Sequence, residues 1–183
     1  MRLNQFLIYS LFIFSISCSS DKHIRTYKLE KIKISKESTL KVTDSNGLNY
    51  IKPDNWIISS GSSMRLLSFS IPYSEGVGDL SVIKLNSEGG GLESNVNRWR
   101  RQLDLPALNI NDINKDIVVI EQKETKYQML EIVNKNDGRA FICAIFSLKN
   151  STYFVKVSLN VVGITEIKSD FIKFCSSLIF PKN

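Results

Sequence analysis

The chain has little of what most binding and catalytic chemistry is built from. It holds one histidine and three cysteines in 183 residues. The cysteines, Cys18, Cys143 and Cys175, stand far apart, and His23 lies in a polar stretch near the N-terminus. The close His and Cys spacing of a zinc site is therefore absent, and no metal is expected. There is no nucleophile elbow, no glycine-rich dinucleotide motif, no phosphate loop and no paired-carboxylate motif, so neither a cofactor nor an enzymatic activity is expected. No arginine-rich run interleaved with aromatics occurs. The net charge of +6 is scattered over the chain, so nucleic acid is not an expected partner. Long apolar runs are lacking too. The stretch Phe6 to Ile16 is broken by Tyr9, Ser10 and Ser15 and is about half of the roughly 20 residues that a spanning helix needs.

What is present is a globular composition, with 43% hydrophobic and 23% charged residues. A domain of about 150 residues buries roughly two-thirds of its surface, so no disulfide or metal is required to hold it. The chain divides into an export signal over 1–17, a lipidated N-terminus and tether over 18–37, and one globular domain over 38–183.

The first segment carries a short positive region at Arg2, an apolar stretch, and small residues before Cys18. That is the layout of a secretory signal. Ser15-Ile16-Ser17-Cys18 resembles the bacterial lipobox, with Ser15 where leucine is usual. The resemblance implies that Cys18 becomes the first mature residue and carries diacylglycerol and an amide-linked fatty acyl chain such as palmitate. Each buried methylene contributes about 0.8 kcal/mol, so two or more chains anchor durably. Ser19 follows where an aspartate would redirect sorting, which resembles default delivery to the outer membrane, facing the periplasm, in a Gram-negative host. Residues 19–37 are polar and lysine-rich and read as a tether. His23 is then a solvated linker residue.

The domain is patterned from about residue 38. Leu40, Val42, Leu48 and Tyr50 suggest two short strands around Asp44–Gly47. Met64 to Pro72 and Asp79 to Asn86 read as a hairpin joined through Tyr73 to Gly78. After Gly89-Gly90-Gly91, the residues Leu92, Val96, Trp99 and Leu103 recur at helical spacing, with Pro106 as the stop. A second short helix covers Ile110 to Asn114. Four apolar runs follow: Ile117 to Gln122, Gln128 to Asn134, Arg139 to Leu148 and Thr152 to Val162. The gaps between them are short, with Asn136-Asp137-Gly138 the strongest hairpin signal in the chain, so they are antiparallel neighbours. Phe154, Val157 and Leu159 share no period of two, which leaves a bulge or burial on both faces as alternatives. A closing helix follows Gly163, with Thr165 as N-cap and Ile164, Ile167, Phe171, Phe174, Cys175 and Leu178 on its apolar stripe. The expected class is α+β, an antiparallel sheet flanked by helices.

Trp56, Met64-Arg65 with Ser68-Phe69, Gly78-Asp79 with Ser81-Val82, and above all GGGLESNVNRWRRQL resemble a family of uncharacterised bacterial proteins predicted to be lipoproteins. That resemblance covers about a quarter of the chain and implies membrane attachment. The order of elements through the helix at Asp170 to Leu178 resembles the PsbP-type fold, an α/β/α sandwich. Neither implies a catalytic residue.

Two features invite a functional reading. Glycines before a helix could cradle an anion, but Glu93 in the first turn answers the helix dipole itself, and a flexible loop explains the glycines as well. The second feature is the polar side of the same helix. Asn95, Asn97, Arg98, Arg101 and Gln102 lie beside or opposite the apolar stripe and form the candidate recognition surface; the alternative is a solvated face whose arginines pair with Asp79 or Glu93. Cys143 and Cys175 read as two buried thiols, with a bridge between helix and sheet as the alternative. The expected partners are the membrane, through the Cys18 anchor, and an unidentified envelope protein or small molecule. The leading function is a binding or accessory module of the cell envelope. The alternatives are a small-molecule carrier with a cavity between sheet and helix, or a hydrolase without a recognisable motif.

Overall fold

Strand-forming runs dominate the chain, and turn residues break them at short intervals. The structure, a computed structural model, describes residues 41–86, 90–122 and 125–181. The signal, Cys18, the tether with His23, and Gly89 lie outside the described residues. Three short strands come first: β1 (Lys41–Thr43), β2 (Asn49–Ile51) and β3 (Ile57–Ile58). The long hairpin β4 (Arg65–Tyr73) and β5 (Gly76–Asn86) follows, then helices α1 (Leu92–Gln102) and α2 (Ile110–Asp116). The meander β6 (Val118–Gln122), β7 (Thr125–Val133), β8 (Arg139–Leu148) and β9 (Ser151–Asn160) leads to the closing helix α3 (Val161–Ser177).

β1 and β2 form a hairpin of their own, turned by the Asp44 carboxylate, which accepts from the backbone N–H groups of Asn46 and Leu48. The other strands make one sheet in the order β3-β4-β5-β9-β8-β7-β6, with every pairing antiparallel. α1 and α2 carry the chain from β5 in the middle of the sheet to β6 at its far edge, and the meander brings it back so that β9 pairs with β5. The architecture is α+β.

Both faces of the sheet are covered. On one side α3 and the β1–β2 hairpin enclose a core in which Tyr50, Trp56, Phe69 and Phe174 meet edge-on or tilted, with ring centroids 5.1 to 5.9 Å apart. On the other side α1 and α2 place Val96, Trp99, Leu103 and Ile113 over Leu130, Ile132, Phe141, Cys143, Ile145 and Phe154. The α3 stripe is buried as its spacing implies, from Ile164 to Leu178.

Several boundaries differ from the sequence expectation, each for a physical reason. The β4–β5 turn is tighter than Tyr73 to Gly78, because Tyr73 pairs with Gly76 and only Ser74 and Glu75 lie between. α3 begins at Val161, not after Gly163. Asn160 caps it by accepting from the Gly163 N–H at 2.8 Å, whereas Thr165 lies within the helix and bonds back to the Val161 carbonyl. Two β-branched valines read as strand, but Asn is among the strongest N-caps and its position decided the boundary. The irregular period in β9 is burial on both faces. Its register with β8 runs without a shift from Ser151 to Asn160, with Tyr153, Val155, Val157 and Leu159 toward α3 and Phe154 toward α1. Cys143 and Cys175 are buried, free, and in the cores of opposite faces, which rules out the bridge. Burial pushes both thiols far above their ordinary range.

Candidate functional site at the edge of helix α1

The sheet face under α1 changes character from one side to the other. Cross-strand partners share a face, so the register writes each row directly. One row runs Ser68, Ser81, Lys156, Cys143, Leu130 across β4, β5, β9, β8 and β7. The next runs Ser70, Asp79, Ser158, Phe141, Ile132. The β7–β8 ends of both rows are apolar and lie beneath α1 and α2, while the β4–β5 ends are hydroxyls and a carboxylate. α1 therefore borders the polar part of the sheet, and along that border lies a cleft of about 280 Å³ lined by Ser81, Ile83, Arg98, Trp99, Gln102, Phe154 and Lys156.

Trp99 and Phe154 form the apolar wall, edge to face at 5.7 Å between centroids. Lys156 is a half-buried cation. Its Nζ donates to Gln102 Oε1 at 2.8 Å and sits 4.1 Å from the centroid of the Phe141 ring, a cation–π arrangement. Desolvation by burial pushes its ammonium below the ordinary lysine range, and the charges of Arg65 and Arg98 push the same way. Arg65 holds Asp79 through two parallel bonds of 2.8 Å. This bidentate bonding keeps the Asp79 carboxyl below the usual carboxylate range. Asp79 is thus committed to Arg65 and not to the α1 arginines. Arg98 donates instead to Asn95 Oδ1 at 2.7 Å.

The proposed recognition set separates into two groups. Arg98 and Gln102 line the cleft. Asn95 is not on the surface but buried, 2% exposed, because its Nδ2 donates to the Gly91 carbonyl at 2.7 Å while its Oδ1 receives Arg98. Asn97 works inside the fold as well, pinning the loop after α1 through two 2.8 Å bonds to the Leu108 backbone. Arg101 is exposed and away from the cleft. Helical geometry accounts for this division. At about 100° per residue, Asn95, Arg98 and Gln102 fall within a sector of roughly 60°, and Asn97 and Arg101 fall on the other flank. Lys156 and Ser81 were not singled out from sequence. The available signal was a lysine within the otherwise apolar run of β9.

Gly90 and Gly91 take positive φ of 86° and 79°, which glycine alone adopts freely. Gly91 is the N-cap of α1, and Glu93 occupies its first turn. A second cleft, about 400 Å³, lies beside β8 and the C-terminal segment and is lined largely by Phe146, Leu148, Leu178, Ile179, Phe180 and Pro181. It is the roomier of the two, and Thr125, Lys126, Lys149 and Asn150 also line it; the cleft at α1 is the one that the candidate residues Arg98 and Gln102 reach. Among the described residues no cluster of His, Cys, Asp or Glu could hold a metal, and no helix is long and apolar enough to cross a membrane.

The solution structure of the cyanobacterial PsbP protein (CyanoP) from Synechocystis sp. PCC 6803 is similar over 78% of this chain and 92% of its own, with a TM-score of 0.50 and 16% identity. The fold is PsbP-like. A crystal structure from Bacteroides thetaiotaomicron VPI-5482 is similar over 78% of this chain and 48% of its own, with a TM-score of 0.47 and 11% identity. No family model and no curated protein matches the chain. A PsbP-like fold accounts for the three layers and leaves the ligand open, since unrelated functions share folds.

Proposed function

We propose that this protein is a lipid-tethered binding module of the bacterial cell envelope, anchored through Cys18, with its ligand site in the cleft beside α1. The observation that carries the reading is the convergence of Arg98, Gln102, Lys156 and Ser81 on one small recess between helix and sheet. The second cleft, beside β8 and the C-terminal segment, takes in none of the candidate recognition residues, and the rest of each sheet face packs an apolar core. Concave sites with an apolar wall and a few convergent polar groups are where small molecules bind. The recess, about 280 Å³, favours a small molecule over a lipid or a protein segment, so binding and carriage of such a molecule is the preferred form of the proposal. A hydrolase finds less support. Ser81 and Lys156 are cross-strand neighbours, but Lys156 gives its bond to Gln102, and no hydrogen bond joins the serine to a base among the described residues.

Anchoring is tested by labelling cells with radioactive palmitate and fractionating their membranes. The intact chain incorporates label and sediments with membranes, and Cys18→Ser loses both. Equal membrane recovery of the variant would overturn the lipid anchor.

A further inference from the structure

We infer that the α1 cleft binds a small organic oxyanion, a carboxylate or phosphate ester bearing a short apolar group, with Arg98 and Lys156 as its counter-charges. This rests on the cleft being the binding site and adds the chemistry of the occupant.

The charge count around the cleft does not balance. Arg65, Arg98 and Lys156 bring three positive charges close enough to act on one another. Asp79 is the carboxylate among them, and Arg65 occupies both of its oxygens. Arg98 and Lys156 form no ion pair among the described residues; their polar partners are the neutral side chains of Asn95 and Gln102. Arg98 is exposed and Lys156 half-buried, so two like charges border one cleft and repel each other, partly screened by water. An oxyanion placed between them relieves that repulsion and accepts charge-assisted bonds from both.

Neutral donors stand beside the cations. Ser81, 8% exposed, and Trp99, 3% exposed, both line the cleft. The Ser81 hydroxyl and the Trp99 indole N–H are the neutral donors of these lining residues, and a ligand oxygen in the recess can accept from either. The wall of Trp99, Phe154 and Ile83 sets the other requirement, an apolar or planar group beside the charge. At about 30 Å³ per water, the recess holds the equivalent of roughly nine waters, enough for one ring and its acid group.

The test is a two-dimensional proton–nitrogen spectrum of the full chain in detergent micelles, titrated at fixed ionic strength with benzoate, phenyl phosphate and neutral benzamide. Trp99 lines the cleft, whereas Trp56 lies in the core on the far side of the sheet, so their two indole signals are probe and control; Trp56→Phe assigns them. Benzoate, phenyl phosphate or both should move the Trp99 signal saturably and leave Trp56 in place, with benzamide at least tenfold weaker. Arg98→Gln and Lys156→Gln should each weaken the anion about tenfold or more, the effect of losing one charge-assisted bond. Lys173→Gln, on the exposed side of α3 and paired with Asp170, should change nothing. Unchanged dispersion of the remaining signals shows that each variant is folded. If benzamide binds as tightly as the anions, or the Gln variants bind as well as the parent, the oxyanion assignment is overturned while the cleft stands as a site. If none of the three moves Trp99, the cleft reading falls with it.

Discussion

Trp99→Ala removes the largest side chain of the core between α1 and the sheet. The indole is 3% exposed and packs on Phe154. Truncating a buried tryptophan costs about 3–5 kcal/mol, and the edge-to-face pair accounts for about 0.5–1.5 kcal/mol within that. One flank of the ring borders an open cleft, so water can enter the space left behind, which places the expected loss nearer 3 than 5 kcal/mol. A domain of this size holds about 5–15 kcal/mol in all. At about 2–4 °C per kcal/mol, the melting temperature should fall by roughly 6–12 °C. Urea titration followed by fluorescence measures the free-energy loss, and a thermal scan the melting temperature, because Trp56 remains as reporter in the opposite core. Arg101→Ala is the control. Its side chain is exposed and should change stability by no more than about 0.5 kcal/mol. A Trp99→Ala variant that loses less than about 1 kcal/mol, or an Arg101→Ala variant that loses more than Trp99→Ala, would refute the packing described for α1.

Burial pushes the Tyr127 phenol up to about 12 from the ordinary value near 10. The folded chain therefore keeps a proton that the unfolded chain has lost, and the stabilisation is full below pH 10 and disappears as the pH rises toward 12. Two units correspond to on the order of 3 kcal/mol. Urea midpoints between pH 9 and 11.5 should fall, and Tyr127→Phe should flatten part of that fall. Tyr50, also pushed up by burial and by the Asp44 charge, carries a further part; an identical slope in the Phe variant would contradict this. Thiol labelling of the folded chain at pH 8 should leave Cys143 and Cys175 unmodified, both being fully buried, and denaturant should expose both. Rapid labelling without denaturant would show that the two cores open far more readily than their packing implies.

The fold was legible where one periodicity ran uninterrupted. Val96, Trp99 and Leu103 mark α1 because no competing pattern crosses them, and Asn136-Asp137-Gly138 marks the β7–β8 turn because Gly138 takes the positive φ that the turn requires. Legibility failed where both faces of a strand are buried. In β9 Phe154 faces α1 while its neighbours Tyr153 and Val155 face α3, so three apolar residues run together, the alternation is broken there, and Lys156 did not stand out. The site was half legible for a related reason. Arg98 and Gln102 follow from the helical wheel, but polarity alone does not separate a side chain facing a cleft from one that satisfies the fold. Asn95 and Asn97 are polar because backbone carbonyls and an amide need them. The other half of the site, Ser81 and Lys156, comes from strands some 75 positions apart that only the β5–β9 register brings together.

The most direct measurement of the account is native mass spectrometry of the full chain extracted from its own membranes in mild detergent. The expected species begins at Cys18, carries covalent lipid, and holds one small non-covalent acidic molecule that the Arg98→Gln/Lys156→Gln double variant has lost. A chain that still retains residues 1–17 without lipid, and has the same bare mass with and without the two substitutions, would contradict both the tether and the site.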